Sequence, residues 1–247
     1  MNLKDLAETS WTWLNEVAIS PLAQFYRGLG EDERIVLYIL LATAAALGFL
    51  AGRRRARHLR LRFQNRGEVA VSNHLCRHFR SPDYHLMNHV TLRMEDGTTQ
   101  VDHILVSRFG VFVIETKHYS GWIFGSAGDK TWTQVHFSRR FRFQNPIFQN
   151  KRHVRAVQGL LDFLPPGAVK SVVVFSGKAQ FKTEVPQGVV SIGELKDFLR
   201  NHGEEVISLN RMQFCVGRLE TARLAISAET DVEHVESLAR RHGSRTA

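Results

Sequence analysis

Residues 100–117 read QVDHILVSRFGVFVIETK, and this stretch decides the fold. Thr99 to Ser107 and Val111 to Lys117 alternate and run apolar enough to be two strands, with Phe109-Gly110 turning between them. An isolated charge inside an apolar strand is costly, so Asp102, Glu115 and Lys117 are out of place unless they act together. Glu115 and Lys117 are two apart and point to one face. A hairpin that pairs Ser107 with Gly110 sets Asp102 opposite Glu115, and such cross-strand partners have Cβ atoms about 4.5–5.5 Å apart. Two carboxylates at that separation repel unless a cation lies between them. Oxygen donors select Mg²⁺ or Mn²⁺. A protonated Lys117 is no ligand, but it orients a water and offsets transition-state charge. A cross-strand salt-bridge cluster of Asp102, Glu115 and Lys117 explains the same pattern, and at this level both readings stand.

Outward from this core, Gly67 to Phe79 places Val71, Leu75 and Phe79 at helical spacing. Tyr84 to Met94 alternates as a strand with Tyr84, Leu86, Val90, Leu92 and Met94 on one face, and Asp96-Gly97 turns it. Pro146 to Phe163 reads as a helix with proline near its start. Ser171 to Ser176 (SVVVFS) is a buried strand, and Val189 to Ile192 is a further one. Helices are expected over 193–200, 204–218 and 228–241. The order is helix, three strands, helix, strand, then a helix-rich end: one α/β domain.

The N-terminal quarter is different. Ile35 to Gly52 is eighteen residues without a charge, about 27 Å as a helix and close to the hydrocarbon thickness of a bilayer. Seven arginines follow between Gly52 and Val71, namely Arg53, Arg54, Arg55, Arg57, Arg60, Arg62 and Arg66. Only Arg27 and Arg34 precede it, beside Glu31, Asp32 and Glu33. The positive-inside rule then puts the C-terminal domain in the cytoplasm, as a single-pass inner-membrane protein. The arginine collar suits anionic headgroups. Trp11, Trp13, Leu14, Val17 and Ile19 suggest a short interfacial helix. The expected divisions are an extracytoplasmic 1–34, a membrane helix 35–52, a basic linker 53–66, a domain core 67–180 and its α-rich completion 181–247.

The 247 residues carry a net charge of +9, which favours polyanionic partners. Two cysteines, Cys76 and Cys215, exclude a disulfide framework and a four-cysteine zinc site. Lys130 to Leu161 contains no acidic residue. Lys130, Arg139, Arg140, Arg142, Lys151, Arg152 and Arg155 lie in it and are expected to contact nucleic-acid phosphates. The interleaved Trp132, Phe137, Phe141, Phe143 and Phe148 read as core. His74 and His78 stand at i, i+4 with Cys76 between them, a spacing that suits zinc, but no third ligand is evident, and His103 and His118 alternate away from the acidic pair. Ser176-Gly177-Lys178 is too little for a phosphate-binding loop.

The whole pattern resembles the nuclease-related (NERD) domain of the PD-(D/E)xK superfamily. Arg66-Gly67-Glu68, Val101-Asp102-His103-Ile104 and Gly110 to Lys117 carry the resemblance. Gly121-Trp122-Ile123, Trp132-Thr133-Gln134 and Asn145-Pro146-Ile147-Phe148-Gln149 continue it. Val101 stands where the superfamily name has proline. The resemblance covers about 67–177 and implies a restriction-endonuclease-like core, α-β-β-β-α-β. It implies Asp102, Glu115, the Thr116 carbonyl and Glu68 as ligands of Mg²⁺ or Mn²⁺, with Lys117 positioning water and Gln149 near the phosphate or the lysine. The implied reaction is phosphodiester hydrolysis in nucleic acid, DNA favoured over RNA. A catalytically idle binding or adaptor module on the same fold is the alternative.

Overall fold

The structure is a computed structural model that describes residues 20–62 and 65–243, without side-chain detail for 20–22, 52–62 and 241–243. The chain divides into two compact units, Met1–His58 and Leu59–Ala247. The expected interfacial helix around Trp11 and Trp13 lies outside the described residues.

In the first unit, α1 spans Ser20–Gly28 and α2 begins at Glu31. Glu31, Asp32 and Glu33 occupy the first turn of α2, where carboxylates complement the positive end of the helix dipole. The Glu33 carboxylate also accepts from Gly30 N at 2.9 Å. Helix α2 runs to Arg62, so the expected linker is helical over most of its length. Arg, Ala and Leu are good helix formers, and neither proline nor glycine interrupts 53–62. Glu31–Ala51 is long and apolar enough to cross a membrane, and none of it is buried against protein.

The second unit begins with α3 (Arg66–His78), followed by β1 (Tyr84–Met94), β2 (Gly97–Ser107) and β3 (Gly110–Lys117). After an inserted β4 (Gly121–Phe124), β5 (Thr131–His136) and β6 (Arg139–Gln144) come α4 (Pro146–Leu160) and β7 (Val169–Phe175). Then follow β8 (Ala179–Phe181), β9 (Val189–Ser191), α5 (Leu195–Arg200), α6 (Leu209–Ala222) and α7 (Ala228–Gly243). The result is a mixed α/β architecture with two mixed sheets, ordered β1-β2-β3-β7-β9 and β6-β5-β4-β8.

The first sheet has apolar clusters on both faces. Val111 and Val113 join Ala156, Val157 and Leu161 of the α4 segment and Met212, Cys215 and Leu219 of α6. Phe112 and Ile114 join Val71 and Leu75 of α3 and Leu195 and Leu199 of α5. Strand β3 is therefore sandwiched, which explains its unbroken apolar run. Ser107 does pair with Gly110. Gly110 has φ +127°, and a Cβ there would lie 2.7 Å from the Ala168 carbonyl, so only glycine makes this turn without strain.

Two expectations need correction. Strand β1 does not keep one alternating phase: Tyr84 and Leu86 face α3, whereas Val90, Leu92 and Met94 face α4 and α6 together with Met87. The phase changes at His89, whose φ is +52°. On β2 both Val101 and Ile104 face α4 and α6, so the phase changes again across Asp102 and His103. Register pairs Asn88 with His103 and Val90 with Val101, so the two irregularities lie side by side. A left-handed residue in a strand is locally strained, and such strain gathers at functional positions. The second correction is the second sheet. Its three inserted strands were not expected, because 121–144 is short, charged and interrupted by Gly125, Gly128 and Ser138. It is organised by Trp132, fully buried, stacked on Phe175 at 6.3 Å and edge-on to Phe181 at 5.8 Å.

Candidate active site

Two helix starts and two strands converge on one point. The first is the start of α3. The Asn65 side chain caps it, accepting from Gly67 N at 2.8 Å and Glu68 N at 3.1 Å. Asn65 Nδ2 in turn donates to Glu68 Oε1. The first turn lies tight against the ends of β3 and β7: a Cβ on Gly67 would meet His118 Cβ at 2.5 Å and Ser176 Oγ at 2.7 Å. That close approach brings Glu68, 8% exposed, into the site.

The second helix start is α4. Asn145 is fully buried, accepts from Ile147 N at 2.9 Å and donates to the carbonyls of Ser126, Ala127 and Asp129. Pro146 takes the first helical turn, where a missing N–H costs nothing. Gln149 follows one turn in and His153 one turn later, on the same helix face. Between them Asn150 donates to the carbonyls of Val113 and Val172, fixing α4 to β3 and β7.

Asp102 stands where the β2 strand changes phase. The β2–β3 ladder stops at His103 with Ile114. In its place the Asp102 carboxylate accepts directly from Thr116 N at 2.7 Å. Glu115, 2% exposed, accepts from Lys117 Nζ at 2.7 Å on one oxygen and from His153 Nε2 at 3.1 Å on the other. A carboxylate can only accept, so His153 carries a proton on Nε2, and its Nδ1 is hydrogen-bonded to Thr99 Oγ1 at 2.8 Å. Lys117 Nζ also donates to Gln149 Oε1 at 3.0 Å.

The charges of Glu68, Asp102, Glu115 and Lys117 act on one another, so the sequence-derived set forms one cluster. Burial pushes the Glu68 carboxyl up to about 7, with the Glu115 charge adding to it. Burial, then Glu115 and Glu68, raise Asp102 well above the usual carboxylate range. Burial would raise Glu115 too, but the His153 hydrogen bond and the Lys117 charge outweigh it and hold Glu115 low. Burial opposes the charge on Lys117, and Glu115 and Asp102 more than restore it. The site is one well-anchored carboxylate beside a firmly protonated lysine, with two further carboxyls that repel it and each other.

Two parts of this network escape the sequence. His153 sits four residues beyond Gln149, so helical spacing from that residue could have found it. Thr99, behind it, carries no sequence signal. His103 does point away from the cluster: its Nδ1 meets Asn88 Oδ1 at 2.8 Å, and burial pulls its pKa down to about 3.

The donor set suits a hard divalent cation by its chemistry: Glu68, Asp102 and Glu115 are oxygen donors, and a dication offsets the burial and the carboxylate repulsion that raise two of them. Among the described residues no group of three or more His, Cys, Asp or Glu side chains is arranged as a ready metal cage. Lys117 and His153 meet both oxygens of Glu115.

The expected phosphate-contacting cations fall on different surfaces. Arg139, Arg140 and Arg142 are exposed on β6. Arg142 donates to Thr131 Oγ1 at 2.8 Å. Lys151 and Arg155 are exposed on α4, and Lys130 precedes β5. Arg152 forms a two-point ion pair with Asp96 at 2.6 and 2.7 Å, so its charge is already compensated. Of the aromatics read as core, Trp132 is core, but Phe137 is 90% and Phe141 49% exposed. A cavity of about 630 Å³ lies elsewhere, lined by β7, β8, β9 and α5 residues such as Phe175, Val189 and Asp197.

Residues 64–176 match the family model described as nuclease-related domain, NERD. An uncharacterized protein of Bacillus anthracis is 46% identical over 80 residues, 32% of this chain and 38% of that protein. The matched segment thus spans under two fifths of that relative's length. No solved structure matches the chain significantly.

Proposed function

We propose that this chain, which carries a nuclease-related domain at residues 64–176, is a membrane-anchored, metal-dependent nuclease that hydrolyses phosphodiester bonds in nucleic acid, DNA favoured over RNA. The observation that carries the reading is the convergence of Glu68, Asp102, Glu115, Lys117 and Gln149 from two helices and two strands on one buried cluster. The order α3-β1-β2-β3-α4-β7 supports reading the unit as a restriction-endonuclease-like core with three strands of a second sheet inserted between β3 and α4.

Asp102, Glu115, the Thr116 carbonyl and Glu68 would hold Mg²⁺ or Mn²⁺. Bound there, the ion would supply Lewis acidity for the scissile phosphate and lower the pKa of a bound water. Lys117 stays protonated beside Glu115 and donates to the incoming water or to the charge that builds on the phosphate. Gln149 holds the lysine from the other side. His153, backed by Thr99, fixes the Glu115 rotamer, as partners behind a ligand commonly do. Lys130, Arg139, Arg140, Arg142, Lys151 and Arg155 supply phosphate attraction, Arg152 less so because of Asp96. Helix α2 anchors the chain in the inner membrane, with the arginines of 53–66 and the nuclease unit on the cytoplasmic side.

Asp102→Asn tests the site cleanly. Its amide oxygen can still accept from Thr116 N, and losing a raised carboxylate relieves repulsion, so the variant should melt no lower than wild type. It should lose both Mg²⁺-dependent cleavage and the rise in melting temperature on adding Mg²⁺. Lys117→Ala should cut slower by about 10²-fold while keeping the Mg²⁺ response. An idle module is favoured by one feature: Lys117 and His153 close both Glu115 oxygens into a hydrogen-bonded network complete without metal. That reading takes over if wild type neither cleaves nor responds to Mg²⁺ or Mn²⁺.

A further inference from the structure

The second sheet turns Trp132, Ile123 and Phe143 toward the core, which leaves its other face to solvent. Strand register lines up two rows across that open face. In the first, Arg140 pairs with Val135, Val135 with Trp122, and Trp122 with Gln180. In the second, Arg142 pairs with Thr133 and Thr133 with Phe124, and Lys182 follows β8 beside it, its N–H bonded to the Ile123 carbonyl. Paired residues share a face, so each row places an exposed aromatic ring with an arginine two strands away. Trp122 is 49% and Phe124 37% exposed, large values for rings in strands. The Lys182 ammonium lies 4.9 Å over the Trp122 ring. No side chain in either row is acidic. Arg139, by contrast, pairs with His136 and belongs to the opposite face, so the three neighbouring arginines do not act as one patch.

We propose that this face is a platform for single-stranded nucleic acid, with Trp122 and Phe124 stacking successive bases and Arg140, Arg142 and Lys182 holding the backbone. The two rings are two residues apart on one strand, roughly 7 Å, which suits an extended and unstacked chain rather than the inside of a duplex. Paired bases hide their faces, so a duplex offers these rings nothing to stack on, whereas every unpaired base offers a π-face. A base arriving on Trp122 displaces the Lys182 ammonium onto the adjoining phosphate, so the cation over the ring becomes a backbone contact. Three of the sheet's four strands lie between Lys117 and Gln149, so a strand lying on it is held largely by the segment that joins two residues of the candidate active site. The platform rests on the nucleic-acid half of the proposed function and not on hydrolysis.

The test uses the full chain in detergent with the Asp102→Asn substitution, so that bound strands stay whole. Anisotropy of a labelled oligothymidylate, free or annealed to oligoadenylate, is followed across salt concentrations. The single strand should bind more tightly than the duplex. Trp122→Ala with Phe124→Ala should weaken single-strand binding by about ten-fold or more per ring and leave the salt slope unchanged. Arg140→Ala with Arg142→Ala should reduce the slope of log affinity against log salt by about 1.4, about 0.7 for each lost phosphate contact. Both rings are exposed, so melting temperatures should hold. Equal affinity for duplex and single strand, or ring variants that bind like wild type, overturns the platform. Wild-type chain that binds oligothymidylate through these rings yet never cleaves overturns the nuclease reading alone. Cleavage by a chain indifferent to the rings does the reverse.

Discussion

Glu115 is engaged at both of its oxygens. Both oxygens already accept a hydrogen bond, from Lys117 and from His153, and the residue is almost wholly buried. An amide there must turn its NH₂ toward one of two donors, so Glu115→Gln strands a buried partner. It should therefore lower the melting temperature, at a cost of about 1–3 kcal/mol, where Asp102→Asn does not. Glu68 and His103 set opposite pH limbs. Glu68 is held at about 7 against an ordinary 4.5, so its contribution to stability is complete below 4.5 and is lost as pH rises through 7. His103 is held at about 3 against 6.5, so its contribution is complete above 6.5 and is lost as pH falls toward 3. Glu68→Gln should flatten the alkaline limb of a melting-temperature profile in metal-free buffer and leave the acid limb as it was. An unchanged alkaline limb would remove Glu68 from the carboxyl cluster.

At the scale of elements, the site is made by how helices begin. Helix α3 packs its length on one face of the sheet while its first turn overhangs the strand ends, and α4 covers the other face. Gly67 makes the overhang possible, since any Cβ would collide with the backbone-proximal atoms of His118. Gly67→Ala should cost about 1–3 kcal/mol by overpacking. The displacement should carry Glu68 away from Glu115. It should thus flatten the same alkaline limb as Glu68→Gln, read by melting across pH, which a merely local strain would not do. The paired irregularities of β1 and β2 belong to the same scale. His89 takes a left-handed backbone and its ring is tied to Asp231 of α7 at 3.0 Å, beside the point where Asp102 leaves the ladder for Thr116.

At the scale of the molecule, an apolar helix with no protein burial precedes an α/β unit of strongly positive charge. Exposing a span of that length to water is unfavourable, so the full chain should sediment with membranes and need detergent for release. A chain beginning at Leu61 should remain in the soluble fraction. Full-length protein that stays in solution without detergent would end the anchoring proposal. A fluorescent reporter after Ala247 reads the sidedness, which the seven arginines of 53–66 predict to be cytoplasmic.

Asp102, Glu115 and Lys117 were legible because charge in an apolar strand is too costly to be incidental, and strand periodicity alone assigns Glu115 and Lys117 to one face. The apolar span, the main helices and the Ser107–Gly110 turn were legible for the same local reasons. Gln149 and Glu68 came from motif resemblance, since nothing local tells which helix ends will meet. What waited for the tertiary structure was everything set by contacts distant in sequence. His153 closes on Glu115 only because Asn150 fastens α4 to β3 and β7. The phase changes at His89 and Asp102 depend on two strands distorting together. The open face of the second sheet is defined by which side Trp132 buries. Alternation reports that a strand has two faces, and only packing against other elements decides which of them meets water.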